Sequence, residues 1–223
     1  MESELRPSVP GALVRSQILE YIHQGRLIFD PQLDIFQIRM HAIDLRLGYC
    51  FKISQEWKMT DRGREAVGGS EHGRDQEFYP IELEEGQFFD LLPGETVDVD
   101  SLEEMTIPDD VYGTLFPRTK IHRQRVHVAL TGIIDAGYTG KLHIPVTNIS
   151  NRVKRLFPGE RFCQIVLSSL SQPVQVELSR WHKVDTAISH QNERSSEEEN
   201  LVLLGKIREL KKRFAIPDPN GNT

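Results

Sequence analysis

Hydrophobic positions along the chain follow a helical period only at the start and then fall into short runs. Between residues 12 and 24, Leu13, Ile18, Leu19 and Ile22 recur near helical spacing and Gly25 supplies a stop, which predicts one short N-terminal helix. Beyond it the apolar runs are brief and β-branched or alternating, at 27–29, 43–47, 51–54, 88–92, 111–116, 126–130, 142–147, 162–168 and 174–178. Turn signals separate them: Pro93-Gly94, Pro108-Asp109-Asp110, Ala136-Gly137 and Pro158-Gly159. Many short strands punctuated by Gly and Pro predict a mainly β domain, a sandwich or a barrel.

Two stretches break that pattern. Residues 58–77 are polar, charged and glycine-containing, the composition of a mobile insertion. Residues 184–196 form a second break, after which Ser196 and Glu199 resemble a capping box opening a C-terminal helix that runs to about Phe214. On it Leu203, Ile207, Leu210 and Phe214 form one apolar seam, which fits either packing on its own domain or contact with a partner. The expected organisation is a disordered N-terminus over 1–11, a β domain over 12–183, and a linker with an amphipathic helix over 184–223.

Composition narrows the functional classes. A chain of 223 residues is long enough to bury a real core as one domain with appendages. Its net charge of -6 argues against a duplex nucleic-acid binder but leaves room for a local basic pocket that holds a nucleotide. Cys50 and Cys163 have no metal-ligand spacing and sit in strand-like apolar runs, the setting of buried, reduced thiols. No apolar leader and no run approaching ~18 apolar residues is present, so no membrane partner is expected and a cytoplasmic location is.

The densest chemistry lies between residues 117 and 140. Arg118, Thr119 and Lys120 offer a guanidinium, a hydroxyl and an ammonium in succession, with Arg123 and Arg125 close behind. Such a set can grip a polyphosphate, because Arg forks pair phosphate oxygens bidentately and Lys adds a point charge; a solvated basic turn would look the same. Asp135 follows between apolar residues and an Ala-Gly-Tyr turn, either capping that turn or placed as a catalytic carboxylate. Gly132, Gly137 and Gly140 permit tight turns and close backbone approach, and Tyr138 is an aromatic able to stack on a sugar or base.

These residues resemble a known pattern. Gly132-Ile133-Ile134-Asp135-Ala136-Gly137-Tyr138-Thr139-Gly140 is similar to the third motif of trimeric dUTPases and to its dCTP deaminase counterpart, G-x-I-D-x-x-Y/W-x-G. Further matches occur in the family's order. ILEYIHQGRLIFDP followed by AIDLRLG looks like the deaminase opening, and LLPGETVDVDSLEEMTIPDDVYGTLFPRT resembles the segment that ends in the R-S-S motif. LFPGERFCQ resembles the fourth dUTPase motif, where a Gln follows a PG-x-R turn. The resemblance spans about residues 12–178 and is closer overall to the deaminase branch.

It implies a dUTPase-like distorted β-barrel or jelly roll, assembled as a homotrimer with sites between subunits. By position, Asp135 would contact the deoxyribose 3′-OH and activate a water. Tyr138 would stack on the sugar and exclude a 2′-OH. Arg118, Thr119, Lys120, Arg123 and Gln164 would lie at the phosphates, and Asp44 would organise the phosphate and magnesium region. The backbone around Ala129, Thr131, Gly132 and Ile134 would read a pyrimidine edge. A deoxynucleoside triphosphate, pyrimidine favoured, is the implied ligand, with Mg²⁺ carried on its phosphates.

The chain also departs from the pattern. The deaminase branch places a proton-transferring glutamate where Pro145 stands, and proline can neither accept nor donate a proton. His143 lies on the same strand face, two residues earlier. Neither branch's C-terminal lid is evident, while Lys120 and Arg125 replace small residues. The expected activity is therefore dUTPase-like pyrophosphohydrolysis, dUTP to dUMP and pyrophosphate. The alternatives are a dCTP deaminase with a rebuilt catalytic base and a non-catalytic nucleotide-binding sensor.

Overall fold

The computed structural model describes residues 11–55, 57–66, 78–130, 132–175, 201–202 and 204–213. In chain order the elements are α1 (Arg15–His23), β1 (Ile28–Asp30), β2 (Ile43–Ser54), β3 (Trp57–Thr60), β4 (Gly63–Ala66), β5 (Phe78–Glu82), β6 (Phe89–Leu91), β7 (Thr96–Thr106) and β8 (Val111–Pro117). They continue with α2 (Thr119–Arg123), β9 (Val126–Val128), β10 (Ile133–Ile134), β11 (Thr139–Asn148), β12 (Lys154–Leu156), β13 (Arg161–Ser169) and α3 (Ile207–Arg213).

Nine strands make one curled sheet along the path β10-β8-β13-β2-β7-β11-β9, with β1 added to β7 and β5 added to β2. The curl comes from β2. Its first residues pair with β13, from Ile43↔Ile165 to Arg46↔Arg161, and its later ones pair with β7 and β5. Register shifts interrupt its ladders with β13 and β7, and such bulges bend a strand enough to carry it from one layer to the other.

The core fills the space inside that curl. Ile43, Leu45, Leu47 and Phe51 of β2 meet Val97, Val99 and Met105 of β7, Ile144 and Val146 of β11, and Phe162, Ile165 and Leu167 of β13. Phe51 stacks on Phe89 at 4.9 Å between ring centroids. The helix α1 buries Ile18 and Tyr21, and the Tyr21 hydroxyl donates to Asp110 at 2.9 Å, tying the helix to the Pro108-Asp109-Asp110 turn. The mainly β, barrel-like fold with a short N-terminal helix is therefore as expected.

Several local expectations change. Residues 57–66, mostly inside the stretch expected as a mobile insertion, form the β3–β4 hairpin, closed at Gly63 and faced by Arg64 over the Trp57 ring. Residues 67–77 lie outside the described residues. The long strand β7 was not among the expected strands, because Ser101 and Glu103 take buried inward positions with Leu102 facing outward between them, which breaks its alternation. Val174 and Gln175, expected to open a strand, are exposed and irregular.

The C-terminal helix is not continuous. Gly205 takes φ 68, Gly205 N–H donates to Val202 and Lys206 N–H donates to Leu201, the double bond pattern that ends a helix on a left-handed glycine. A separate helix, α3, begins at Ile207 and carries Ile207 and Leu210. Leu203, Phe214 and the expected cap at 196–199 lie outside the described residues.

Removing the Phe51 ring tests the core. Phe51→Ala should cost about 3–5 kcal/mol, read as a lowered urea midpoint, whereas Trp57→Ala on the exposed hairpin should shift stability by less than ~0.5 kcal/mol.

Candidate functional site

A buried carboxylate organises the site. Asp44, on the part of β2 that pairs with β13, is 1% exposed. Its Oδ2 lies 3.3 Å from Nε of Arg118 and 3.1 Å from Nη1 of Arg161. Arg118 stands where β8 passes into α2, and Arg161 opens β13. Their guanidiniums are fixed further: Arg118 Nη1 donates to the Arg161 carbonyl at 3.1 Å, and Arg161 Nη1 donates to the Phe36 carbonyl. Burial lowers the Arg118 pKa, and the neighbouring Arg161 and Arg39 push the same way against the pull of Asp44. Three elements thus converge on one negative charge, which holds two cations side by side.

The other phosphate candidates gather around this pair. Thr119 opens α2 and is exposed, Arg123 is exposed at the end of that helix, and Lys120 pairs with Glu160 at 3.0 Å. Gln164 is directly opposite Asp44 across the β2–β13 ladder. The structure therefore brings Asp44, Arg118, Thr119, Lys120 and Gln164 to one end of the sheet, with Arg161 added. Arg161 was not among the residues expected at the site, although the Pro158-Gly159-x-Arg turn signalled it.

The turn around Asp135 lies elsewhere on the chain. Gly132 takes φ 96 and its carbonyl accepts from Leu115, after which Ile133 and Ile134 pair with Thr114 and Gly113 of β8. Ile134 is buried and Asp135 is exposed just beyond it. The carbonyl of Asp135 accepts from Tyr138 N–H at 3.2 Å. Tyr138 folds over Gly140, where any Cβ would stand 2.9 Å from the hydroxyl, and that hydroxyl donates to the Lys141 carbonyl at 2.8 Å. Burial and nearby Glu104 push the phenol up to about 12, so it stays protonated. Ala129 N–H is already committed to the Pro145 carbonyl at 2.8 Å, so that amide is not available to read a base. Thr131 lies outside the described residues.

Within one chain these two groups are apart. From Gly113, the partner of Ile134, to Arg118 is a stretch of strand about 16 Å long at ~3.3 Å per residue. A groove lined by Ile53, Trp57, Met59 and Tyr79 contains none of the residues of either group. Arg125, where the resembled pattern carries glycine, adopts φ 61, the left-handed conformation that glycine takes most easily. Cys50 and Cys163 are free thiols, both raised by burial, Cys50 to about 12, which leaves neither as a nucleophile.

Comparison with known proteins settles the family. The dCTP deaminase-like family model matches residues 12–170. The chain belongs to the dCTP deaminase-like family. It is 32% identical over 163 residues to a dUMP-forming dCTP deaminase of Dictyoglomus thermophilum, covering 71% of this chain and 80% of that one. A dUMP-forming dCTP deaminase of Methanosphaera stadtmanae is 31% identical over 159 residues, covering 70% and 78%. Among solved structures, the 2′-deoxycytidine 5′-triphosphate deaminase of Agrobacterium tumefaciens shares the fold, with a TM-score of 0.55 at 21% identity over 74% of this chain and 50% of that one. Membership sets the chain among nucleotide-metabolising enzymes of this fold.

No group of three or more His, Cys, Asp or Glu able to hold a metal occurs among the described residues, and Asp44 is engaged by two arginines. The described side chains therefore do not form a magnesium cage of their own.

Asp44→Ala should leave two guanidiniums facing each other over an emptied pocket. The expected cost is about 3–5 kcal/mol of stability, with at least a tenfold loss in triphosphate affinity measured by calorimetry. A variant as stable as the parent would show that the carboxylate does not organise the two arginines.

Proposed function

We propose that the chain takes a pyrimidine deoxynucleoside triphosphate and converts it to the monophosphate, deaminating the base when that base is cytosine. The observation that supports this most is the pairing of a guanidinium cluster on Asp44 with a separate Asp135–Tyr138 turn, in a chain whose deaminase-like match covers both. The cluster suits the triphosphate, since two fixed Arg forks spread the charge of a leaving pyrophosphate. The exposed Asp135 suits a base that takes a proton from water attacking the α-phosphorus, and Tyr138 offers a fixed ring to the sugar.

The names of the relatives point to dCTP as substrate and dUMP as product. Going from one to the other chemically requires loss of an amine and of two phosphoryl groups. The strand separating the two halves favours their meeting between copies of the chain, in a homotrimer whose sites are completed across subunits. Magnesium would enter on the phosphate oxygens of the nucleotide. A second reading, hydrolysis of dUTP without deamination, is favoured by Pro145, which offers no side chain for proton transfer.

Incubation with dCTP and with dUTP in the presence of Mg²⁺, followed by chromatography of nucleotides and assay of pyrophosphate and ammonia, separates these readings. dUMP from both substrates, with ammonia from dCTP, is expected. Pyrophosphate from dUTP with no ammonia from dCTP would establish the second reading, and the absence of turnover on every pyrimidine triphosphate would end both.

Asp135→Asn should lower turnover at least 100-fold with nucleotide affinity held within about tenfold, because an amide keeps the shape but not the basicity. Sedimentation should show a trimer, and a fully active monomer would contradict the shared site.

A further inference from the structure

The sheet carries a second set of ionisable groups that the phosphate cluster and the Asp135 turn do not use. Across the three central strands, Lys52 of β2 is opposite Asp98 of β7, and Asp98 is opposite Pro145 of β11. The Ala129 N–H donating to the Pro145 carbonyl extends that row by one more residue. In the adjoining row Asp100 of β7 is opposite His143 of β11. Lys52 Nζ lies 3.4 Å from Asp100 Oδ1 and 3.4 Å from His143 Nδ1, and His143 Nδ1 contacts Asp100 Oδ1 at 2.5 Å. Lys52 is only 6% exposed, and Asp98, Asp100 and His143 are half-buried.

Such a face is costly to build. The alternate positions of the same strands, Val97, Val99, Ile144 and Val146, are buried and apolar, and a sheet interior needs nothing else. Taking two carboxylates, an ammonium and an imidazole partly out of water loses solvation that pairing only partly restores. Clusters of that kind concentrate at sites of proton transfer. The carboxyl of Asp98 is raised by its burial and by Asp100, while Lys52 and His143 pull it down. The row also passes through Pro145, the position that carries no proton-transfer group of its own.

We infer that Asp98, one strand across from Pro145 and set among Lys52, Asp100 and His143, is the proton-transfer group for deamination of a cytosine base by this chain. The inference rests on the reading above, in which the chain deaminates a cytosine base. Adjacent strands stand about 4.8 Å apart, so a carboxylate on β7 reaches the space over Pro145 from the side. As a water oxygen bonds to C4, Asp98 takes one water proton and delivers it to N3, which receives the C4–N3 π pair. Asp98 then takes the C4 hydroxyl proton and gives it to N4 as the C4–N4 bond breaks, with its electron pair leaving on nitrogen. One water enters, one ammonia leaves, C4 becomes a carbonyl and N3 keeps its proton. Lys52 and the His143–Asp100 pair are positioning residues that set the charge around Asp98.

The test uses the full chain with dCTP and Mg²⁺, reading ammonia, with pyrophosphate from dUTP read on the same preparations. Asp98→Asn should lower ammonia release by about 10²–10⁴-fold, the usual worth of a positioned acid-base group, so that the ratio of ammonia to pyrophosphate collapses. Asp98→Glu, which restores a carboxylate, should recover ammonia release to within about tenfold of the parent and guards against a folding defect in the amide variant. Lys52→Met should move the acid limb of the ammonia pH profile upward, because the ammonium favours the ionised carboxylate. Ammonia release that survives Asp98→Asn would overturn the inference. Pyrophosphate from dUTP with no ammonia from the parent chain would overturn it too, while leaving the hydrolytic part of the proposed function standing. Absence of both products would remove the proposed function and this inference together.

Discussion

A single buried charge organises one end of the molecule. Asp44 sits 1% exposed in a strand whose neighbours are Ile43 and Leu45, both fully buried. A carboxylate in that position is tolerable only if cations meet it, since an unpaired buried charge costs several kcal/mol. The two that do come from opposite ends of the sequence segment, Arg118 at the end of β8 and Arg161 at the start of β13. Neither arginine would be held against like charge without the carboxylate. The register of β13 against both β2 and β8 is thus also the condition for assembling the cationic pair.

A second layer of polar contacts supports that arrangement. Arg46, two residues beyond Asp44, holds Asp34 through Nε and Nη2 and donates from Nη1 to the Gly159 carbonyl at 2.6 Å. Gln37 donates to the Asp44 carbonyl and to buried Glu103, and Glu103 accepts the Arg46 backbone N–H. These bonds tie the loop before β2 and the turn before β13 to the same strand. Because Phe36 in that loop supplies the carbonyl that Arg161 contacts, the loop's position feeds directly into the guanidinium's. Burial raises the Glu103 carboxyl, a cost offset by its donors, and the polar network behaves as a unit that is sound only when every member is present.

Much of this was legible in the sequence, and the failures have physical causes. Short runs punctuated by Gly and Pro gave β8, β9 and β13 to within two residues and the middle of β11, because their inward positions are apolar and their turns carry the residues turns require, whereas β10 and β12, only two and three residues long, have no run to show. The motif-bearing residues Asp44, Arg118 and Gln164 were legible too, and they do meet. β7 was not, since polar Ser101 and Glu103 sit at its buried inward positions and Leu102 faces outward, which erases the alternation that marks a half-buried strand. Arg161 escaped notice because a guanidinium after a turn looks solvated until the carboxylate it meets is placed by another strand. The C-terminal seam misled for the opposite reason: its spacing is helical, but one left-handed glycine ends the first helical segment and restarts the next. The committed amide of Ala129 could not be read from sequence at all, because it depends on pairing with a residue on a different strand.

The outward-facing acids of β7 connect fold to chemistry. A strand at the centre of a sheet, flanked by β2 and β11, is the place where apolar residues on both faces would be most stabilising. Val97, Val99 and Met105 meet that demand on the inner face, while Asp98 and Asp100 refuse it on the outer one. The refusal is matched strand by strand, by Lys52 on one side and His143 on the other, so the charges arrive as a set rather than singly. A lone acid there would destabilise the sheet, and a matched set costs far less while leaving a carboxyl that can change its protonation. Proline at position 145 adds to the same picture, since it lacks an N–H and still gives its carbonyl to Ala129, keeping β11 in register without a full ladder. The outer face of the central strands therefore trades stability for titratable groups, and it does so in the row where Pro145 has none to offer.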